Sequence, residues 1–141
     1  MPREFSMTKA LQAGCTYFAG VFAVGFLLGV LRTLVLAPRV GELLAVLVEL
    51  PIILGVSWVI CGRILRQASL DPAAALLMGA CAFGLLMIAE LSISIVLANR
   101  TFLAHLALYS EGSHLLGLAG QVAFALFPMF QTTRRCPPGK G

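Results

Sequence analysis

Four long apolar runs, separated by short polar segments, dominate the chain. They lie at about residues 10–36, 40–62, 72–99 and 113–130. A helix needs roughly 20 mostly apolar residues to cross the hydrocarbon core of a bilayer, and each run approaches or exceeds that length. The pattern predicts an all-α fold, a four-transmembrane-helix bundle that forms a single integral membrane domain over residues 1–141.

The segments between the runs predict where the helices begin and end. Pro38 and Gly41 are expected to break the first helix at a short loop, because both residues disfavour a helix interior. Residues 63–67 carry two arginines and a glutamine and are expected to form a polar loop. Asp71 followed by Pro72 is a typical N-cap and first helical residue, which predicts the start of the third span.

Residues 100–111 form an amphipathic segment before the last span. Phe102, Leu103 and Leu106 can share one helical face, and His105 and Glu111 are expected to point to water. Such a segment is typical of a short helix that lies in the membrane interface.

Composition supports a membrane location and argues against nucleic-acid binding. Hydrophobic residues make up 60% of the chain and charged residues only 11%, with a mean hydropathy of +0.97. Soluble domains have about 25% charged residues, so this chain has too few to cover a water-soluble surface. The net charge of +4 comes from residues at the ends of apolar runs, with no basic stripe interleaved with aromatic residues.

The distribution of positive charge predicts the orientation. The chain has ten Lys and Arg residues, and three of them flank the odd-numbered connections: Arg32, Arg39 and Arg100. The others flank the opposite side: Arg3, Lys9, Arg63, Arg66, Arg134, Arg135 and Lys140. Because cytoplasmic segments carry the excess of positive residues, both termini are expected in the cytoplasm.

Two carboxyl side chains and one carboxamide lie deep within the predicted spans two to four. Glu49, Glu90 and Gln121 are eight or nine residues from the outer ends of spans two, three and four. At about 1.5 Å per residue, all three lie roughly 12–14 Å below the outer surface. An ionised carboxylate at mid-bilayer costs about 2.5–3.5 kcal/mol on insertion scales. Three helices are thus expected to bring polar groups to one level.

A second polar layer is expected nearer the outer surface. Glu42 is seven residues before Glu49, and His114 is seven before Gln121, so each pair shares a helix face. Arg32 and Arg39 approach from span one and the first loop. Together with Glu90, these residues predict a polar crevice that opens to the outside.

Two functions are consistent with this polar set. In the favoured interpretation, the protein is an accessory or scaffold membrane subunit, and the polar residues hold helices together by hydrogen bonds. In the alternative, it is a small proton- or cation-coupled transport or permeation component that uses Glu49 and Glu90. A four-helix transporter is small, so the alternative implies a homo-oligomer, whereas the first implies a larger membrane complex.

No cofactor, metal or enzymatic activity is expected. His105 and His114 lie at or outside the outer boundary, whereas haem ligation in a bundle needs histidines within facing helices. The four cysteines form no C-x-x-C pair. Neither a zinc-protease motif, a phosphate-binding loop nor a dinucleotide fingerprint occurs.

Several stretches resemble a group of small bacterial inner-membrane proteins that have no known activity. The stretches are residues 36–42, Glu49-Leu50-Pro51, Ser57-Trp58, residues 87–91, residues 117–121 and residues 124–128. The resemblance covers most of residues 10–130. It implies a multi-pass protein of the bacterial inner membrane with the lipid bilayer as its immediate partner, and it implies no catalytic residue.

Overall fold

The computed structural model describes the backbone of residues 2–135 and the side chains of residues 7–135. Lys140 and the side chain of Arg3, both used in the charge count, lie outside the described residues. The helices are α1 (Pro2–Leu31), a π-helical segment (Arg32–Leu36), α2 (Ala37–Val40), α3 (Glu42–Ala68), α4 (Pro72–Val96), α5 (Phe102–Ala107), a 3₁₀ turn (Leu108–Ser110) and α6 (Gly112–Arg135). Residues 2–135 contain no strand, and the predicted all-α fold is confirmed.

The predicted helix break at Pro38 is wrong. The helix continues from α1 through the π-helical segment and α2 to Val40, so the first span is longer than residues 10–36. Proline has no N–H and its ring crowds the preceding turn of an α-helix. The wider π turn lies immediately before it, with the Ala37 N–H donating to the Arg32 carbonyl. Pro38 then occupies the first turn of α2, where a missing N–H is tolerated.

A single residue, Gly41, connects the first span to α3. Its φ of 87° lies in a region that residues with a Cβ rarely adopt, so glycine suits this turn. Its N–H donates to the carbonyl of Ala37, and its carbonyl accepts from the N–H of Ala45. The second span therefore begins at Glu42 rather than at residue 40.

The opposite end of the bundle has a shorter connection than predicted. Residues 63–67, expected to form a polar loop, belong to the last turns of α3, which ends at Ala68. Ser69 then adopts a left-handed conformation, with φ 50°. Asp71 is the extended N-cap residue and Pro72 begins α4, as predicted. We call this end of the bundle the Ala68 end, and the other the Gly41 end.

The four long helices form a ring in the order α1, α3, α6, α4, in which each packs against its two neighbours. Tyr17 of α1 reaches across the middle to α6, where its hydroxyl donates to the Phe124 carbonyl over 2.9 Å. The aromatic rings of Tyr17 and Phe124 stack, with their centroids 4.3 Å apart. Tyr17 and Met78 are fully buried, so they form the centre of the core.

Helices α4 and α6 approach each other closely at Gly79. A Cβ atom added at this position would overlap the carbonyl oxygen of Ala125. Only glycine allows backbones to approach this closely, as small residues do in many membrane helix pairs. The contact therefore sets the distance between α4 and α6.

The short helix α5 confirms the predicted helix before the last span. Thr101 caps it by accepting a hydrogen bond from the Ala104 N–H. Phe102, Leu103 and Leu106 are exposed on its outer face. The prediction that His105 points to water is wrong, because this side chain is half-buried and lines a crevice between the long helices.

All four long helices are long and apolar enough to cross a membrane. Many large apolar side chains are exposed on them, including Leu27, Leu34, Val59 and Ile88. In lipid such surfaces cost nothing, and helices satisfy their own backbone hydrogen bonds. The structure is therefore that of a multi-pass membrane protein.

The charge asymmetry makes the orientation testable. We expect reporters fused after Ser69 and after Lys140 to report the cytoplasm, because seven of the ten Lys and Arg residues lie on that side. A reporter fused after Glu111 should report the opposite compartment. Alkaline phosphatase and fluorescent-protein fusions provide the measurement. If the N-terminus and the C-terminus lay on different sides of the membrane, the chain would have to cross it an odd number of times. That result would contradict four spans.

Candidate functional site

A crevice of about 660 Å³ lies between the four long helices. It begins beside Val21 and Phe124, next to the central Tyr17–Phe124 contact, and reaches residues 97–114 at the Gly41 end. Its walls are mostly apolar. Its polar lining residues are Arg32, Thr33, Glu49, Ser57, Glu90, Ser94, Arg100, His105, Tyr109, His114 and Gln121. The three polar residues predicted within the spans thus line one open space.

Arg32 connects the first span to α3 through two carboxylates. Its Nη1 donates to Glu42 Oε1 over 2.9 Å. Its Nε lies 2.9 Å from Glu49 Oε2, a charge contact whose angles do not meet hydrogen-bond geometry. Arg32 begins the π-helical segment, whose wider turn alters the direction in which its residues point. Glu49 therefore has an arginine as its partner, rather than Glu90 or Gln121.

Glu90 of α4 and Gln121 of α6 form the second polar contact in the crevice. The Gln121 Nε2 donates to Glu90 Oε1 over 2.5 Å. Unlike Glu49, Glu90 forms no ion pair within the described residues. Two other carboxylates that do form ion pairs there are those of Glu42 and Glu111. Glu90 is thus the carboxyl in the crevice whose charge no protein cation balances directly.

Three buried polar atoms around the crevice have no protein partner in the described part of the chain: Ser94 Oγ, His105 Nδ1 and Gln121 Oε1. Ser94 is only 8% exposed, and it lies one helical turn from Glu90. Other hydroxyls of the spans donate to the carbonyl four residues earlier, as Ser57 and Ser92 do. An unpaired buried polar atom costs about 1–3 kcal/mol, so these atoms favour a polar occupant.

Helix α5 and the 3₁₀ turn that follows it supply two further polar groups, His105 and Tyr109. The rings of His105 and Tyr109, one turn apart, make an edge-on contact with centroids 5.6 Å apart. Burial raises the pKa of the Tyr109 phenol, and the negative charge of Glu90 raises it further. Tyr109 therefore retains its proton at neutral pH and can donate a hydrogen bond towards the crevice. Tyr109 is a crevice residue that is absent from the predicted site; its four-residue spacing from His105 is the signal in the sequence that points to it.

The remaining predicted site residues lie at or outside the mouth of the crevice. His114 lines it, and its Nε2 is 3.9 Å from Glu111 Oε2. Glu42 is exposed and reaches the crevice only through its bond to Arg32. Arg39 is exposed on α2 and does not line the crevice, so the structure does not bring it to the other predicted residues.

Comparisons with known proteins give no further information about this chain. No protein family matches the chain, and neither a curated protein nor a solved structure shows significant similarity to it. Among the side chains of residues 7–135, no three His, Cys, Asp or Glu groups are close enough together to hold a metal ion.

Proposed function

We propose that the protein is a small transport or permeation component in which Glu49 and Glu90 bind protons or cations. One observation carries this proposal: Glu49, Glu90 and Gln121, from three helices, line one open crevice of about 660 Å³. Ionisable groups inside membrane proteins usually face water-filled cavities and take part in proton or ion pathways.

The chemistry of the lining favours a positively charged occupant over an anion. Arg32 and Arg100 are the arginines that line the crevice among the described residues; two carboxylates already contact Arg32, and Arg100 is exposed at the Gly41 end. Glu90 adds a further negative group without a cationic partner. The unpaired Gln121 Oε1 is a hydrogen-bond acceptor, which also suits a proton donor or a cation.

The polar set is not the sole source of cohesion in the bundle. The helices already make close contacts outside it, at Tyr17–Phe124 and at Gly79–Ala125. Near the Ala68 end, Gln131 Nε2 also donates to the Trp58 carbonyl over 2.9 Å. Hydrogen bonds between membrane helices contribute only about 0.6–2 kcal/mol each, so two more in an open crevice add little.

An accessory or scaffold role is the second candidate, and one observation favours it. The Arg32–Glu49 and Glu90–Gln121 contacts each join two helices, as structural polar pairs do. In that case the protein would serve a larger membrane complex, whereas the transport role implies a homo-oligomer, because one four-helix bundle is small for a transporter. Neither proposal includes an enzymatic reaction, and both place the chain in the bacterial inner membrane with cytoplasmic termini.

A flux assay in proteoliposomes tests the transport proposal. We expect the protein to carry protons or monovalent cations down an imposed gradient, as measured with an entrapped pH dye. Glu90→Gln and Glu49→Gln should reduce the flux to that of protein-free vesicles, because an amide has the shape of a protonated carboxyl but cannot exchange its proton.

The matched control is Glu111→Gln. Glu111 is exposed near the same end of the bundle but does not line the crevice. Its variant should retain the flux of the unaltered protein. Equal flux in all four proteins would contradict the role of Glu49 and Glu90. A folded, flux-inactive protein that copurifies with a membrane complex would favour the accessory role.

A further inference from the structure

A second pocket lies at the Ala68 end, at the opposite end of the bundle from the residues 97–114 that the crevice reaches. Its volume is about 360 Å³, and it lies between the last turns of α3 and α6. Its lining residues are Trp58, Val59, Gly62, Arg63, Arg66, Gln131 and Arg135. The lining thus combines three arginines with two apolar side chains and contains no acidic residue.

The arginines of this pocket are available to an external anion. Arg63, Arg66 and Arg135 are exposed, and none forms an ion pair with a carboxylate in the described part of the chain. Arg135 Nη2 donates to the Gly62 carbonyl over 3.3 Å, which holds its guanidinium at the pocket. Three planar guanidinium groups around one space suit a phosphate, because each can donate two parallel hydrogen bonds to its oxygens.

The apolar part of the pocket continues onto the lipid-facing surface. Val59 is exposed there, and Trp58 is partly exposed. The Trp58 ring is held edge-on against Phe127, with centroids 5.1 Å apart, and the Arg134 guanidinium lies 5.8 Å from its centroid. Trp58 lies five residues before Arg63, and tryptophan just inside the first charged residues of a span is typical of the membrane–water interface. A ligand with both a phosphate and a hydrocarbon chain therefore fits better than a free phosphate.

We infer that this pocket binds an anionic phospholipid, with its phosphate among Arg63, Arg66 and Arg135 and an acyl chain along Trp58 and Val59. Basic pockets between membrane helices recognise anionic headgroups in this way, and each arginine near the surface strengthens binding about fivefold. The inference does not depend on the transport proposal, since it concerns other residues at the other end of the bundle.

Trp58 supplies the measurement, because it is the only tryptophan in the chain and it lines the pocket. Bromine atoms on an acyl chain quench tryptophan fluorescence at short range. We expect brominated phosphatidylglycerol to quench Trp58 at lower mole fraction than brominated phosphatidylcholine in vesicles. The double variant Arg63→Gln with Arg66→Gln should lose this preference by about fivefold for each arginine removed.

The matched control is the double variant Arg39→Gln with Arg100→Gln, which removes two exposed arginines from the Gly41 end. It should retain the preference for the anionic lipid. The inference would be overturned if the two lipids quenched the unaltered protein equally. It would also be overturned if the control lost as much of the preference for the anionic lipid as the double variant of Arg63 and Arg66. If the two brominated lipids quench equally while inorganic phosphate, and not chloride at matched ionic strength, changes the Trp58 fluorescence, the pocket is a free-phosphate site and not a lipid site.

Discussion

Gly79→Ala should destabilise the protein more than any other single methyl addition that we propose. The new Cβ would overlap the carbonyl oxygen of Ala125, and a backbone atom cannot move aside as the end of a side chain can. Helices α4 and α6 would have to separate along their contact, which includes the buried Phe124. We expect a loss of about 3 kcal/mol in the free energy of unfolding, as for overpacked cores.

The control for this prediction is Gly84→Ala, five residues further along the same helix. A Cβ added at Gly84 meets no atom within 4 Å, so the substitution should change stability by less than about 1 kcal/mol. Unfolding in mixed micelles of increasing denaturing detergent, followed by circular dichroism, measures both variants. Equal stability of the two variants would show that α4 and α6 do not approach as closely as described.

Arg32→Leu should produce the second large effect. It removes the cation that contacts both Glu42 and Glu49, and Glu49 lies within the crevice with its side chain only 18% exposed. Removing one partner of a buried ion pair leaves a charge without compensation, which costs 3–5 kcal/mol for full burial. Because the pair is partly exposed, we expect a smaller loss, of about 2 kcal/mol.

A double-mutant cycle separates the charge effect from simple loss of packing. The variant with both Arg32→Leu and Glu49→Leu should be more stable than Arg32→Leu alone, because no unpaired carboxylate remains on α3 in the crevice. Arg39→Leu is the control: this exposed arginine is seven residues along the same span, and its replacement should change stability by less than about 0.5 kcal/mol. Additive losses in the cycle would contradict the Arg32–Glu49 contact.

The candidate site shows how far depth along a helix can be used for prediction. Counting residues from the helix ends placed Glu90 and Gln121 at one level, and the structure joins them by a hydrogen bond. The same count placed Glu49 at that level, but Glu49 contacts Arg32 instead. Residue counts give depth, whereas the contact also depends on rotation about each helix axis, which the packing of neighbouring helices decides.

His105 and Tyr109 illustrate a second limit of prediction from the sequence. Their segment has the amphipathic pattern of an interfacial helix, and that helix forms. The pattern alone led to the expectation that His105 faces water. In the structure His105 lines the end of the crevice, so it faces a protein cavity that contains other polar groups rather than the outer surface of the bundle.

The helical class, the four apolar helices and the start of α4 at Asp71 and Pro72 can be predicted from the amino-acid sequence. These features depend on the length of apolar runs and on local backbone chemistry, which need no knowledge of distant residues. The continuation of the first span through Pro38, the ring order of the helices and the pairing of Arg32 with Glu49 become visible only in the folded bundle. Each of these depends on contacts between residues of different helices or turns, and neither composition nor spacing along one helix contains that information.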